Sequence, residues 1–275
     1  MTDSTLNELA ALAQNGDLRA VEQLLARCQR RIYAISLRML DNAADAEDAA
    51  QEILVKITTS LGGFRGDSDF MTWAHRIAVN HLLSLLRGKT SDKKNFDALA
   101  ENLAMGLRFG ATQAAPAADE QLLAYQVFVE CAQRMLQCLD APNRLALVLV
   151  DICDLGNDEA AAVLEIGADA LRQRLSRARR ELADFLSASC GLVNPDAPCH
   201  CTKQIPAAIA VGSVRKDKAT VGSRGIDAIA DELRNLRELA VATRMLRQLP
   251  PSQAPASLVD AVRRLLNSDK YRSLH

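Results

Sequence analysis

The sequence predicts an all-α fold, and three observations predict it. Only 4% of the 275 residues are aromatic, and the apolar 49% is rich in alanine. With many Leu, Arg and Glu, that mix favours helix. Apolar residues recur at steps of three and four over long stretches, and alternating Val/Ile/Thr runs of strand type are absent. The length suffices for one or two domains with real cores.

The first clear helix starts at Leu18, with Leu18, Val21, Leu25, Cys28, Ile32, Ile35 and Met39 on its apolar side, and ends at Asp41-Asn42. The next covers about 44–60. It buries Ala46, Ala49, Ala50, Ile53 and Ile57, and carries Asp45, Asp48 and Glu52 on the other side. Gly62-Gly63 breaks it, 64–69 is a short loop, and a third helix runs over 70–87 with Phe70, Trp73, Ala74, Ile77, Ala78, Leu82 and Leu85 on its apolar side. These helices make an N-terminal domain over 5–88.

Periodicity weakens over 89–119, which reads as linker ending in "FGATQAAPAAD", with room for a helix between 95 and 108. A second domain spans 120–189. A helix over 121–139 precedes Asp140, an N-cap with Pro142 in the following first turn. "DLGN" turns, Asn157 is expected to cap a short helix over 158–164, "EIG" turns again, and a long helix covers 169–186. The extension 190–275 begins loop-rich. Ile226, Ile229, Leu233, Leu236 and Ala240 then mark one amphipathic helix, and "PPSQAP" separates it from a last helix over 256–267.

A net charge of -1 gives no overall nucleic-acid bias, so any electrostatic footprint on DNA must be local. No apolar run reaches membrane-span length, and the first residues lack a basic flank and apolar core, so the expected location is cytoplasmic, with no membrane contact. The odd count of seven cysteines argues against a disulfide framework, and Cys28, Cys131, Cys138 and Cys153 fall at apolar helix positions as small hydrophobes.

Two clusters point to function. A short helix, a turn with Gly167 and a longer helix have helix-turn-helix anatomy, with a small core of Ala161, Leu164, Ile166, Leu171 and Leu175. On the second helix Arg172, Ser176 and Arg179 share one exposed stripe, and Gln173, Arg177 and Arg180 its neighbour. Arg and Gln pair with base edges in the major groove, and Arg also neutralises phosphate. A solvated basic face is the plain alternative. The second cluster is "FRGDSDFMTWAHRIAVNHLLSLLR" at 64–87, which holds the only Trp, two Phe and several Arg in a chain poor in aromatics. Aromatics that stack unpaired bases, with Arg on the backbone, are how single-stranded nucleic acid is held. Core packing is the ordinary role of a Trp on such a helix.

"DAEDAAQEILVKI" (45–57), followed by that aromatic stretch, resembles the second conserved region of bacterial RNA polymerase sigma factors of the extracytoplasmic-function class. The segment 141–186 resembles their fourth region, and together the likeness covers about 5–189. The resemblance implies binding to core RNA polymerase and promoter DNA. It implies a polymerase-docking face of Asp45, Asp48, Gln51 and Glu52, and contacts to the downstream (−10) element from Phe64, Arg65, Asp69, Trp73, Arg76, Asn80 and Arg87. It implies upstream (−35) contacts from Arg172, Gln173, Ser176, Arg177, Arg179 and Arg180. The chain departs from the family's pattern at Ala170-Leu171, where a hydroxyl residue and Val are usual, and at Gly156-Asn157, where an aromatic is usual.

The rival reading is a helix-turn-helix regulator acting on duplex DNA without polymerase, which leaves the aromatic helix and acidic patch unexplained. No Gly-rich phosphate loop, HExxH or Ser/His/Asp set supports an enzyme, and no cofactor is expected. In the extension, Cys190, Cys199, His200 and Cys201 are candidate zinc ligands, although 199, 200 and 201 do not easily reach one tetrahedral ion together. A reactive thiol pair or a plain structural loop are the alternatives. An anti-sigma partner, or self-contact by the extension, is the expectation for the last helices.

Overall fold

The computed structural model describes residues 4–88, 95–113, 120–215, 225–234 and 238–266. Among them the fold is helical, with an isolated bridge between Cys190 and Cys199. The described chain divides into two compact units that do not follow chain order.

The first unit contains α1 (Ser4–Gln14), α2 (Leu18–Leu40), α3 (Ala43–Thr59), α4 (Phe70–Gly88), a π-helical turn at Val148–Ile152, α8 (Asn157–Leu164) and α13 (Ala256–Leu266). The 3.6-residue period of α2 puts Val21, Leu25, Cys28, Ile32, Ile35 and Met39 in the core, whereas Leu18, the first of the expected apolar run, is exposed at the helix start. Asp17 caps it, its carboxylate accepting from the N–H of Arg19 and Ala20, and Asp41 ends it in the left-handed region at φ 58°. Asn42 then caps α3, accepting from the Asp45 N–H at 3.0 Å. Between α3 and α4 a single 3₁₀ turn at Leu61–Gly63 realises the break at Gly62-Gly63. The sequence reading began its helices at Leu18; α1 is an addition, and it packs on α2 and α4. Another addition is the π turn, where the Cys153 N–H reaches the Val148 carbonyl at 2.9 Å.

The second unit contains α5 (Phe96–Gly110), α6 (Glu120–Cys138), α7 (Ala141–Leu147), all but the first residues of α9 (Ala168–Ser189), α10 (Cys201–Ala210), α11 (Ile226–Arg234) and α12 (Glu238–Arg247). Asp140 caps α7 as expected, accepting from the Asn143 N–H at 2.8 Å. The stretch read as linker contains α5, which packs on α10. A Cβ on Gly110 would stand 2.5 Å from the Lys203 backbone carbonyl, so a side chain there would force α5 and α10 apart, whereas at Gly106 it would meet the movable end of the Gln204 side chain.

Several boundaries differ from the sequence reading. Residue Gly156, not Asn157, is the N-cap of α8, and no side chain caps it. The turn before α9 has a positive φ at Glu165 (54°). In the loop-rich stretch, α10 forms with Pro206 inside it. The single helix read from Ile226 to Ala240 is two, α11 and α12; Leu236 lies outside the described residues and Ala240 is exposed. Instead α12 buries Val241, Ala242, Met245 and Leu246. Asn267, the expected end of the last helix, also lies outside the described residues.

Candidate nucleic-acid interface

The aromatic stretch builds a ring cluster at the start of α4. Phe64, Phe70 and Trp73 pack with centroids 5.3–5.5 Å apart. Phe70 and Phe64 are buried, whereas Trp73 is half-buried. Stacking edges and faces at this spacing fixes the ring orientations, so the exposed part of Trp73 sits on a rigid base. Arg65 and Asp69 are exposed in the loop, which turns at Gly66 (φ +77°). Asn80 and Arg87 are exposed further along α4, and Arg76 is half-buried.

Two residues that the sequence reading passed over hold this loop and helix in place. The Asn7 side-chain oxygen accepts from the Phe70 N–H at 2.8 Å, capping α4 from another helix. Gln14 donates its amide to the carbonyls of Leu61 (2.9 Å) and Phe64 (2.7 Å), clamping both ends of the turn before the loop. No local pattern signals such caps, because the partners are far apart in the chain.

The α4 face is not open along its whole length. Within the same unit α8 packs on α4. Arg76 Nε stands 3.4 Å from a Glu165 carboxylate oxygen, an ion pair without hydrogen-bond alignment, and its Nη2 donates to the Ala162 carbonyl at 3.3 Å. The Thr72 hydroxyl donates to Glu159 at 3.3 Å.

On α3, Asp48, Gln51 and Glu52 are exposed and Asp45 is half-buried. They run along one side with Val55 and Lys56, which line a shallow groove with Asp48, Gln51 and Glu52. Behind the groove, buried His81 bridges two of its residues: Nδ1 is 2.6 Å from Lys56 Nζ and Nε2 is 3.5 Å from Glu52. Burial and then the Lys56 charge lower the His81 pKa, while Glu52 works in the other direction.

On α9, Arg172, Gln173, Ser176, Arg177 and Arg180 are exposed and Arg179 is half-buried, while Leu171, Leu175 and Ala178 are buried. The basic stripe therefore faces outward on a helix anchored by its apolar side. Of the expected helix-turn-helix core, Ala161, Leu171 and Leu175 are buried, but Leu164 and Ile166 are only partly so; Ala160 and Val163 fill the core instead.

The cysteine candidates lie in the second unit. Cys190, Cys199 and Cys201 line one small cavity, and the fourth thiol on its wall is Cys131 of α6, not the imidazole of His200. His200 lies against Gly191, where an added Cβ would stand 2.5 Å from the ring. Among the described residues no three side chains already stand as a metal-holding cluster.

Residues 24–91 match the family model of Sigma-70 region 2, and residues 129–182 match that of Sigma-70, region 4. The RNA polymerase sigma-H factor of Pseudomonas aeruginosa is 29% identical over 182 residues, covering 66% of this chain and 94% of that protein. The ECF RNA polymerase sigma-E factor of Escherichia coli K12 is 31% identical over 185 residues, covering 66% of this chain and 93% of that protein. Among solved structures, CnrH in complex with the cytosolic domain of CnrY is 26% identical, with a TM-score of 0.49 over 67% of this chain and 98% of that one. This chain belongs to the extracytoplasmic-function sigma factors of bacterial RNA polymerase. It is thus a transcription-initiation protein, not an enzyme, working with core polymerase to direct it to promoter DNA and help open it. Neither family model reaches beyond residue 182. Among the described residues no helix is long and apolar enough to cross a membrane.

Proposed function

We propose a division of labour between two regions of the chain, acting in the cytoplasm where core polymerase works. Residues 5–88 dock on the polymerase through Asp45, Asp48, Gln51 and Glu52. The same region holds the opened downstream element with Phe64, Arg65, Asp69, Trp73, Arg76, Asn80 and Arg87. Residues 120–189 read the upstream element through Arg172, Gln173, Ser176, Arg177, Arg179 and Arg180, with 89–119 as the connection between them. The observation that carries this reading is the braced α4 start: a half-exposed Trp73 on buried Phe64 and Phe70, with Asn7 and Gln14 fixing the loop beside it. A loop that must catch an unpaired base gains from being ordered beforehand, because each stacked base contributes only about 1–3 kcal/mol. Phe64 then acts from beneath, as the floor on which Trp73 rests, since its own ring is buried.

The experiment is strand opening with core polymerase. Asn80→Ala with Arg87→Ala, both exposed positions, should leave holoenzyme binding to duplex promoter intact and reduce permanganate reactivity of thymines near the start site. A pre-melted bubble should restore much of the transcription, because the unpairing cost is then removed. Equal loss on duplex and bubble templates would assign these residues to general affinity and overturn the opening role.

A further inference from the structure

Apolar surface is left open at one place in the second unit. Among the described residues five large apolar side chains are exposed, and three of them, Met105 (52%), Phe109 (43%) and Val211 (74%), line a single cleft. The other two, Leu12 and Leu18, belong to the first unit. Single exposed apolar residues need no explanation, whereas a group of them around a recess marks a binding surface.

The cleft follows from the helix period. Val127, Cys131 and Arg134 of α6 succeed one another at steps of four and three, and so do Leu99, Leu103 and Gly106 of α5. Such stripes ordinarily meet another helix along their whole length. Here α10 closes on α5 where Gly106 stands against Gln204 and Ala207, and a recess of about 440 Å³ remains among the three helices. That volume lies in the range of small-molecule sites, about 300–1,000 Å³.

Two polar groups in this apolar lining are left for a ligand. Gln204 is only 6% exposed and reaches the recess. Its Nε2 is occupied, donating to the Leu103 carbonyl at 2.7 Å. Its Oε1 lies against Gly106 and accepts from no donor among the described residues. A buried acceptor without a donor is costly, so this oxygen suits a hydroxyl or N–H brought in from outside. The second group is Arg134, exposed on the α6 wall. Glu130, one turn earlier on that wall, has a partner of its own, whereas no carboxylate among the described residues stands within ion-pair distance of Arg134. The uncompensated charge at the cleft is therefore positive.

We propose that this cleft binds one small amphiphilic acid. Its acyl or aromatic body lies along Met105, Phe109 and Val211, a hydroxyl or N–H donates to Gln204 Oε1, and its anionic end meets Arg134. The recess favours such a molecule over a protein partner on two grounds. A helix has already satisfied its own backbone N–H groups and brings none to a recessed acceptor, and a stable protein interface needs about 800 Å² from each side. The site lies apart from the residues assigned above to polymerase and promoter, so it stands or falls independently of that assignment.

The test is calorimetric titration of the full chain with β-hydroxydecanoic acid, kept below its micelle concentration. It should bind saturably, once per chain. Decanoic acid, which lacks the donor, and the methyl ester of the hydroxy acid, which lacks the charge, should each bind about fivefold more weakly. In Arg134→Ala, a change at an exposed position, the acid should lose that factor and the ester should lose nothing. Val211→Glu, which adds a carboxylate at the rim, should weaken the acid further, and circular dichroism checks that both variants stay folded. Absence of saturable binding, several equivalents per chain, or equal affinity for acid and ester in the unmodified protein would each overturn the site. So would a dimer seen by sedimentation that Val211→Glu dissolves, because the apolar rim would then belong to a second copy of the chain.

Discussion

His75 shows how one buried residue sets a condition for the whole first unit. It is 1% exposed on α4, and neither ring nitrogen has a hydrogen-bond partner. Burial, helped by the Arg31 charge, lowers its pKa to about 4. An unfolded histidine titrates near 6.5, so between these values the unfolded chain binds more protons. The stability this neutral ring contributes is complete above the unfolded value and drains away as pH falls toward the folded one. Denaturant unfolding at pH 5 should therefore give a stability about 2 kcal/mol below that at pH 7 from this group alone. His75→Leu should flatten that slope; an unchanged slope would place the acid sensitivity elsewhere. In the sequence His75 stood among residues of an aromatic DNA-binding stretch. Its burial follows from α4 facing the α2 and α3 core on the side that carries Met71, Ala74 and Ala78.

At the scale of elements, the helices of the two matched regions were legible because their cores are periodic. Past the exposed Leu18, the apolar steps of α2 and α3 correspond to their buried residues, and Asp140 sits where a cap was expected. What was not legible depends on partners distant in the chain. Helix α10 contains Pro206, a residue that local rules set against helix, and it forms where Gly110 lets α5 approach. Cys131 reads as a core thiol, and nothing near it in the sequence announces that it lines one cavity with Cys190, Cys199 and Cys201. The aromatic cluster at the start of α4 was legible as composition, whereas its bracing by α1 was not. That bracing makes a prediction for the element. Replacing Asn7 by Ala removes the cap of α4 and should cost about 1 kcal/mol of stability. Combined with Gln14→Ala, it should also slow promoter opening while leaving upstream-element binding unchanged, measured by permanganate reactivity and by footprinting on the upstream half. Stability loss without any effect on opening would make α1 a structural support only.

At the scale of the whole molecule, the first unit gathers elements from three distant parts of the chain onto one helical core. The C-terminal helix α13 packs on α2 and α3, burying Leu258, so the extension does make self-contact with the region that carries the acidic face. The first helix of the helix-turn-helix, α8, lies on α4 and engages Arg76 through Glu165 and Ala162. Under the proposed downstream-element role of Arg76, an arginine held this way is not available to a DNA backbone, and promoter opening would then compete with the intramolecular contact. The competition is mild. Both partners are partly exposed, and such ion pairs contribute about 0.2–1 kcal/mol. Glu165 is the residue to change, because it sits at φ 54°, where glycine relieves backbone strain and removes the carboxylate together. Glu165→Gly should therefore keep the helix-turn-helix folded and release Arg76. With core polymerase, open complexes should form up to about fivefold faster, the factor that 1 kcal/mol allows. In the Arg76→Ala background the same change should give no gain, since no guanidinium remains to be released. A gain that persists without Arg76 would show that Glu165 acts through the helix-turn-helix itself, and the contact between α8 and α4 would then have no part in the timing of promoter opening.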